Sequence, residues 1–370
     1  MIHSSCFTPC LKRQSSACLS LLVGLFLVHG ADISINWASD NFPNVQTLNI
    51  RRVFYNGEHN AFTDLVKFGE NYYLTFRSCP DGHMVHPTAS VIILQSANLK
   101  DWKQVFQFSV KHRDTRDPHF LIFNNRLFVY TGTWYSGDKT LPPSDYDLNQ
   151  HLGYAVWSKD GVHWSHPQMM EGTFGHYIWR AASFGGKAYL CGRRKIEFDI
   201  KPRGEPTNVE SLMLESDDGL IWKKKATFQE IEGDETAFLF NKDASIIAIG
   251  RRGGNKAQLL SSKPPYSNWQ RLELSQYIGG PNIQRWGDRI VVGGRQTTPN
   301  GPRTSMYWLD GSRLVRFAVL PSGGDNSYPG FLPLSKRNAV VSWYSSHEQL
   351  NGKTVTAIYM ADLVTDESPD

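Results

Sequence analysis

Cysteine is scarce in this chain, with five among 370 residues, and three of them, Cys6, Cys10 and Cys18, lie before residue 30. Only Cys79 and Cys191 remain, which excludes a disulfide-built scaffold; the two could bridge in an oxidising compartment or stay as buried thiols. Charge is also limited: Asp, Glu, Lys and Arg make up 20% of the chain and leave a net +4. The basic residues are scattered among acidic ones, so there is no footprint for nucleic acid. No apolar run reaches the roughly 20 residues of a membrane-spanning helix. Metal-ligand spacings, phosphate-binding glycine loops and serine-nucleophile elbows are missing as well, so neither a metal nor another cofactor is expected.

Residues 1–30 have the layout of a secretory signal peptide. Lys12 and Arg13 precede the apolar run Leu19 to Val28, and the small residues Gly30 and Ala31 follow. The expectation is a secreted or periplasmic protein with no membrane association after cleavage, residues 31–45 as a lead-in, and residues 46–370 as one domain. A monomer is expected.

What the chain does have is aromatic side chains, 12% of residues including 11 Trp, suited to stacking on sugars or packing between sheets. It also has a recurring turn. Ser158-Lys-Asp160-Gly161-Val-His-Trp164 and Ser216-Asp-Asp218-Gly219-Leu-Ile-Trp222 share one spacing. Ser96-Ala-Asn98-Leu-Lys-Asp-Trp102 keeps it with Asn for Asp, and a looser version ends at Trp269. Asp-Gly supplies the positive φ of a tight turn, and the aspartate can accept from the turn amides. Short apolar or alternating runs bounded by Gly, Asn, Asp or Pro fill the remainder, without a sustained 3.6-residue period. Recurrence at about 45 to 60 residues is the period of propeller blades, which bury their faces only by stacking on neighbours. The fold predicted is all-β, a six-bladed β-propeller of four-stranded antiparallel blades, with Gln46 to Tyr55 closing the last blade.

First strands of blades line a central channel, so polar residues far apart in sequence should meet at one mouth. The candidates are Asp64, Arg116, Asp117, Arg180, Glu235 and Tyr328 on first strands, and Arg77, Arg251 and Arg295 at the ends of second strands. His347 lies in a sixth-blade loop near the channel face, and loops 135–150 and 197–210 are placed to wall the site.

These residues resemble the sialidase superfamily, six-bladed propellers carrying the Asp-box turn. The boxes at 158–164 and 216–222 are one residue shorter than the usual form. The resemblance spans about residues 50–367, and it implies that Glu235, in Gly-Asp-Glu-Thr-Ala-Phe, activates Tyr328, in Asp-Asn-Ser-Tyr-Pro-Gly. It further implies that Arg251, in Ile-Gly-Arg-Arg, and Arg295, in Gly-Gly-Arg-Gln, bind a substrate carboxylate. Two departures stand out. The family's first-blade arginine has no counterpart in His59-Asn-Ala-Phe-Thr-Asp64, leaving Arg52, Arg77 or Arg180 to replace it. In the loop Cys79-Pro-Asp81-Gly-His83-Met-Val-His86, where the family has an acid/base aspartate, Asp81 is a candidate, while His83 and His86 lie nearer the matching position.

The expected activity is that of a secreted exo-glycosidase removing a terminal, possibly acidic, sugar from a glycan, with Tyr328, Glu235, Asp81 and His86 as the catalytic set. A phenol with a pKa of about 10 needs a neighbouring base to act as a nucleophile, and tyrosine is a recognised exception to the two-carboxylate rule of glycosidases. Two alternatives are an inverting glycosidase using Asp64, Asp117 and Glu235 with a histidine acid, and a carbohydrate-binding propeller without chemistry.

Overall fold

A computed structural model describes residues 42–201 and 208–366; the leader and most of the lead-in lie outside the described residues. Six four-stranded antiparallel sheets follow one another along the chain. Blade 1 is built from His59–Phe68, Asn71–Cys79, Ser90–Ser96 and Lys103–Phe108, and blade 2 from Arg113–Phe123, Arg126–Tyr135, Leu152–Ser158 and Gln168–Met169. Blade 3 comprises Tyr177–Phe184, Lys187–Lys195, Val209–Ser216 and Lys223–Gln229; blade 4 comprises Thr236–Phe240, Ile246–Arg252, Asn255–Ser262 and Trp269–Glu273. Blade 5 holds Gly279–Trp286, Arg289–Thr298, Gly301–Asp310 and Arg313–Leu320. Blade 6 takes Asn326–Pro333, Asn338–Leu350 and Lys353–Thr365 from the end of the chain and its outer strand, Val45–Phe54, from the beginning. That last pairing, from Val45 opposite Thr365 to Phe54 opposite Ile358, closes the ring as the sequence predicts. First strands of neighbouring blades touch all the way round, the sixth against the first included.

The core lies between blades. Leu121, Phe128 and Tyr130 of blade 2 pack against Ile178, Leu190, Leu212 and Trp222 of blade 3, and blades 4 and 5 meet through Ile247, Ile249, Ile283 and Val292. The recurring turns pin this stacking from the outside. Asp160 accepts from the amides of Val162 and His163 at 2.9 and 2.8 Å, and Asp218 does the same for Leu220 and Ile221 at 2.8 and 2.9 Å. Asn98 makes the equivalent bonds to Lys100 and Asp101, both at 2.9 Å. Two of the turns lean on the preceding blade through their tryptophan: Trp164 stacks on Phe106, and Trp222 meets Tyr130 edge-on. The glycine is required by contact as well as by φ, since a Cβ on Gly219 (φ +85°) would come within 2.8 Å of the Tyr130 hydroxyl. Cys79 and Cys191 are buried free thiols in blades 1 and 3, which settles their alternative against a bridge.

One irregularity prepares the functional face. In five of the six first strands the register slips by one residue at the same height, between Ala61 and Asp64, Arg116 and His119, Ile178 and Ala181, Gly279 and Asn282, and Ser327 and Gly330. Such bulges re-aim side chains. Here they hold Phe62, Asp117, Gly280 and Tyr328 at φ of +64°, +52°, +59° and +53°. Bulky residues seldom adopt that conformation, and strain of this kind gathers at functional sites.

Candidate active site

Tyr328, on the first strand of blade 6, is the centre of the site. Its bulged backbone is held by Thr63 of blade 1, whose hydroxyl donates to the Tyr328 carbonyl at 2.9 Å. Its ring is enclosed edge-on by Phe62 and Trp179, with centroids 5.0 and 5.4 Å away, and the Arg295 guanidinium lies 5.4 Å from its centre. Gly280 leaves the space the ring occupies, because a Cβ there would lie 2.6 Å from it. The phenol donates to Glu235 Oε1 at 2.8 Å. Arg251 Nη1 bonds both Glu235 Oε2, at 2.9 Å, and the phenol oxygen, at 3.3 Å, while the amide of Gly280 donates to Glu235 Oε2 at 3.0 Å. Residues 93 positions apart thus share one hydrogen bond.

Electrostatics set the resting protonation. Burial raises the Glu235 carboxyl, but Arg251 and Arg193 outweigh it and bring the pKa down to about 2. Burial, with the neighbouring Glu235 charge, pushes the Tyr328 phenol well above its ordinary value. The phenol proton therefore stays on oxygen at rest, and Glu235 can take it only as the oxygen gives its electron pair to an electrophile. Asp117, on the blade 2 bulge, is the opposite case. Burial drives its pKa up to about 8, with Arg116 opposing and Glu235 adding to the rise. It accepts the Tyr177 hydroxyl on Oδ2 and keeps Oδ1 without a partner.

Three guanidiniums gather around Tyr328. Arg251 and Arg295 are where the sequence places them; the third is Arg193, at the end of blade 3's second strand, paired with Asp234 and lying over the Tyr177 ring. The signal that could have found it is a repeat: Gly192-Arg193, Gly250-Arg251 and Gly294-Arg295 lie in the later halves of the second strands of three successive blades. Each arginine has a carboxylate of its own. Asp234 takes Arg193 and the Arg251 Nε (3.3 Å), Glu235 takes Arg251, and Asp325 takes Arg295 at 3.2 Å. Asp325 also receives the Tyr344 hydroxyl at 2.9 Å, His59 Nε2 at 3.0 Å and His83 Nδ1 at 2.7 Å. Sequence reasoning passed over Asp325, His59 and Phe62, whose neighbours in space come from other blades.

Several sequence candidates have other work. Arg77 is fully buried and shares Asp114 with Arg116, at 2.8 and 2.5 Å. Both guanidiniums donate onward to the carbonyl of Met84, and Arg116 also to that of His83, so they clamp the loop after blade 1's second strand. Arg180 pairs with Asp64 at 2.5 Å and bonds the Pro329 carbonyl at 2.8 Å, tying blades 1, 3 and 6 together inside the channel. Asp81 accepts the Thr88 hydroxyl at 2.5 Å in an exposed turn, and His86 is fixed to Thr140 at 2.7 Å. In that loop, His83 is the side chain that joins the Asp325 cluster. His347 bonds Ser345 and lies against Tyr359, apart from the Tyr328 cluster.

No protein-family model matches the sequence, and no curated protein matches it. Solved structures do. A protein of unknown function from Dyadobacter fermentans aligns with a TM-score of 0.72 at 18% identity, covering 88% of this chain and all of that one. Trypanosoma rangeli sialidase, in complex with the inhibitor DANA, aligns with a TM-score of 0.63 at 12% identity over 82% of this chain, which spans 55% of that protein's length. The endosialidase of phage phi92 gives 0.60 at 10% identity, covering 89% of this chain and 70% of that one. At these identities the likeness establishes the architecture: the chain folds as a sialidase-like six-bladed propeller.

Proposed function

We propose that this protein is a sialidase-like exo-glycosidase, exported through its apolar leader, that releases a terminal sugar with Tyr328 as nucleophile and Glu235 as the base that accepts its proton. The observation that carries this reading is the 2.8 Å bond from the buried phenol to Glu235, with Arg251 on both partners. A neutral phenol approaches an anionic or electron-rich sugar without the repulsion a carboxylate nucleophile would meet. Asp117, protonated at neutral pH, offers a hydrogen bond to a sugar hydroxyl deep in the cavity. The inverting alternative is disfavoured because Asp64 is committed to Arg180 and the Phe120 amide. The three guanidiniums face three carboxylates, so a substrate acid group is accommodated without being required. The test is a fluorogenic panel of neutral and acidic glycosides on the wild-type chain and Tyr328→Phe. The variant should lose at least about 10³-fold on whichever sugar the wild type releases, and an undiminished rate rules the phenol out as nucleophile.

A further inference from the structure

A tyrosine and its base account for bond formation at the sugar; something must also protonate the oxygen that leaves. Two groups near Tyr328 could do so. Asp117 is 4% exposed and sits deep, beside Tyr177 and within the influence of Glu235. His83 is half exposed, on the loop after blade 1's second strand, with its ring centroid 5.8 Å from that of Phe62, whose centroid in turn is 5.0 Å from that of Tyr328. In an exo-acting enzyme the terminal sugar occupies the depth of the cavity and the departing portion points to the mouth. The proton donor therefore belongs at the mouth.

Resting on the tyrosine–glutamate reading above, we propose that His83, oriented by Asp325, is the acid and base of the reaction. Asp325 Oδ2 holds His83 Nδ1 at 2.7 Å, which places a proton on that nitrogen and leaves Nε2 to face the reacting atoms. Asp325 is itself pinned by Arg295, Tyr344 and His59, so its position does not drift. The loop cannot drift either, because Arg116 holds the His83 carbonyl at 3.0 Å and Arg77 holds that of Met84 at 3.1 Å. The charged and titratable groups around the ring are Asp325 from blade 6, His59 from blade 1, Arg116 from blade 2 and, behind Asp325, Arg295 from blade 5. In the first step Tyr328 Oη bonds the anomeric carbon, Glu235 takes the phenol proton, and the glycosidic C–O pair goes to the leaving oxygen, which receives the Nε2 proton of imidazolium His83. In the second, neutral His83 takes a proton from water as the water oxygen bonds the anomeric carbon; the Tyr328 oxygen leaves with its electron pair and recovers its proton from Glu235.

The same three side chains could be read as a cation site, since one atom from each of His59, His83 and Asp325 lies within 4.8 Å of the others. The surroundings favour the proton relay. Arg295 already lies 3.2 Å from that carboxylate, and His59 Nδ1 lacks the partner that normally orients a ligating imidazole.

The experiment compares methyl and 2,4-dinitrophenyl glycosides of the sugar that the panel identifies, in the wild type, His83→Ala, Asp325→Asn, Asp117→Asn and Tyr328→Phe. Dinitrophenolate leaves without protonation, so His83→Ala should lose about 10²–10⁴-fold on the methyl glycoside and far less in the first step on the activated one. Azide, a nucleophile that needs no base, should restore its turnover and yield the glycosyl azide. Equal loss on both substrates without azide rescue overturns the proposal. The leaving-group signature appearing in Asp117→Asn instead, or wild-type activity abolished by a chelator and restored by zinc, does so as well. Tyr328→Phe with unchanged rates defeats the underlying reading and is scored separately. Nitrogen-15 spectra of the histidine rings give a readout independent of turnover: neutral His83 should carry its proton on Nδ1 and lose that preference in Asp325→Asn, and a proton on Nε2 overturns the dyad.

Discussion

Two arginine–carboxylate clusters stand on the same rim, and they differ in what is left unspent. Between blades 1 and 2, Asp114 receives both Arg77 and Arg116 and the His86 amide, Arg77 is fully buried, and both guanidiniums donate onward to loop carbonyls. Between blades 4 and 6, Glu235 binds Arg251 and a backbone amide in the same fashion, but its third partner is a phenol. The Arg251 side chain stays 21% exposed, and Asp117 nearby keeps a bare oxygen. An arginine–carboxylate pair serves as a rivet in one place and as part of a candidate reaction centre in the other. Saturation, more than burial or charge, separates the two.

That contrast can be broken by mutation. Asp114→Ala should be the costliest change, about 3–5 kcal/mol in stability, because it strands two buried guanidiniums; a loss under about 1 kcal/mol by urea denaturation would place the cluster outside the framework. Next, Glu235→Gln should cut turnover by about 10³-fold, roughly 4 kcal/mol of barrier, while the urea midpoint moves less than in Asp114→Ala. A variant that unfolds as readily as Asp114→Ala would make the second cluster a rivet too. Gly280→Ala forces a Cβ against the Tyr328 ring at a positive φ and should lower activity about 10-fold with about 1–2 kcal/mol of destabilisation; unchanged kinetics would show that the phenol tolerates displacement. A pH effect tests the unspent carboxyl itself. Asp117 titrates near 8 in the fold against about 4 when unfolded. Its stabilisation is therefore complete below about pH 4 and lost as pH climbs through about 8. Asp117→Asn should flatten the Tm profile between about pH 4 and 8, and parallel curves for the two proteins would mean that Asp117 is already ionised at neutral pH.

The ring and its closing strand were legible because alternation, Asp-Gly turns and glycine pairs are local signals that repeat in every blade. The Tyr328, Glu235, Arg251 and Arg295 constellation was legible through the resemblance together with the order of the blades. Arg77 and Arg116 were taken for ligand contacts because their partner, Asp114, faces one of them across a blade boundary that no local pattern marks. Asp325 was hidden similarly, since its four partners come from blades 1, 5 and 6 and the loop after residue 79. Spacing put His83 and His86 nearer the matching position than Asp81, yet the expected catalytic set held Asp81 and His86; the clamp from Arg77 and Arg116 decides which side chain of that loop joins the cluster.

The hydroxyl of Thr63 grips the backbone beneath Tyr328 from across the seam where the two ends of the ring meet. The proposed nucleophile is thus tied to the joint between first and last blades. On the proposed role of Tyr328, loosening the Val45–Phe54 strand should silence turnover before the remaining sheets come apart, and activity then becomes a gauge of whether the circle is shut.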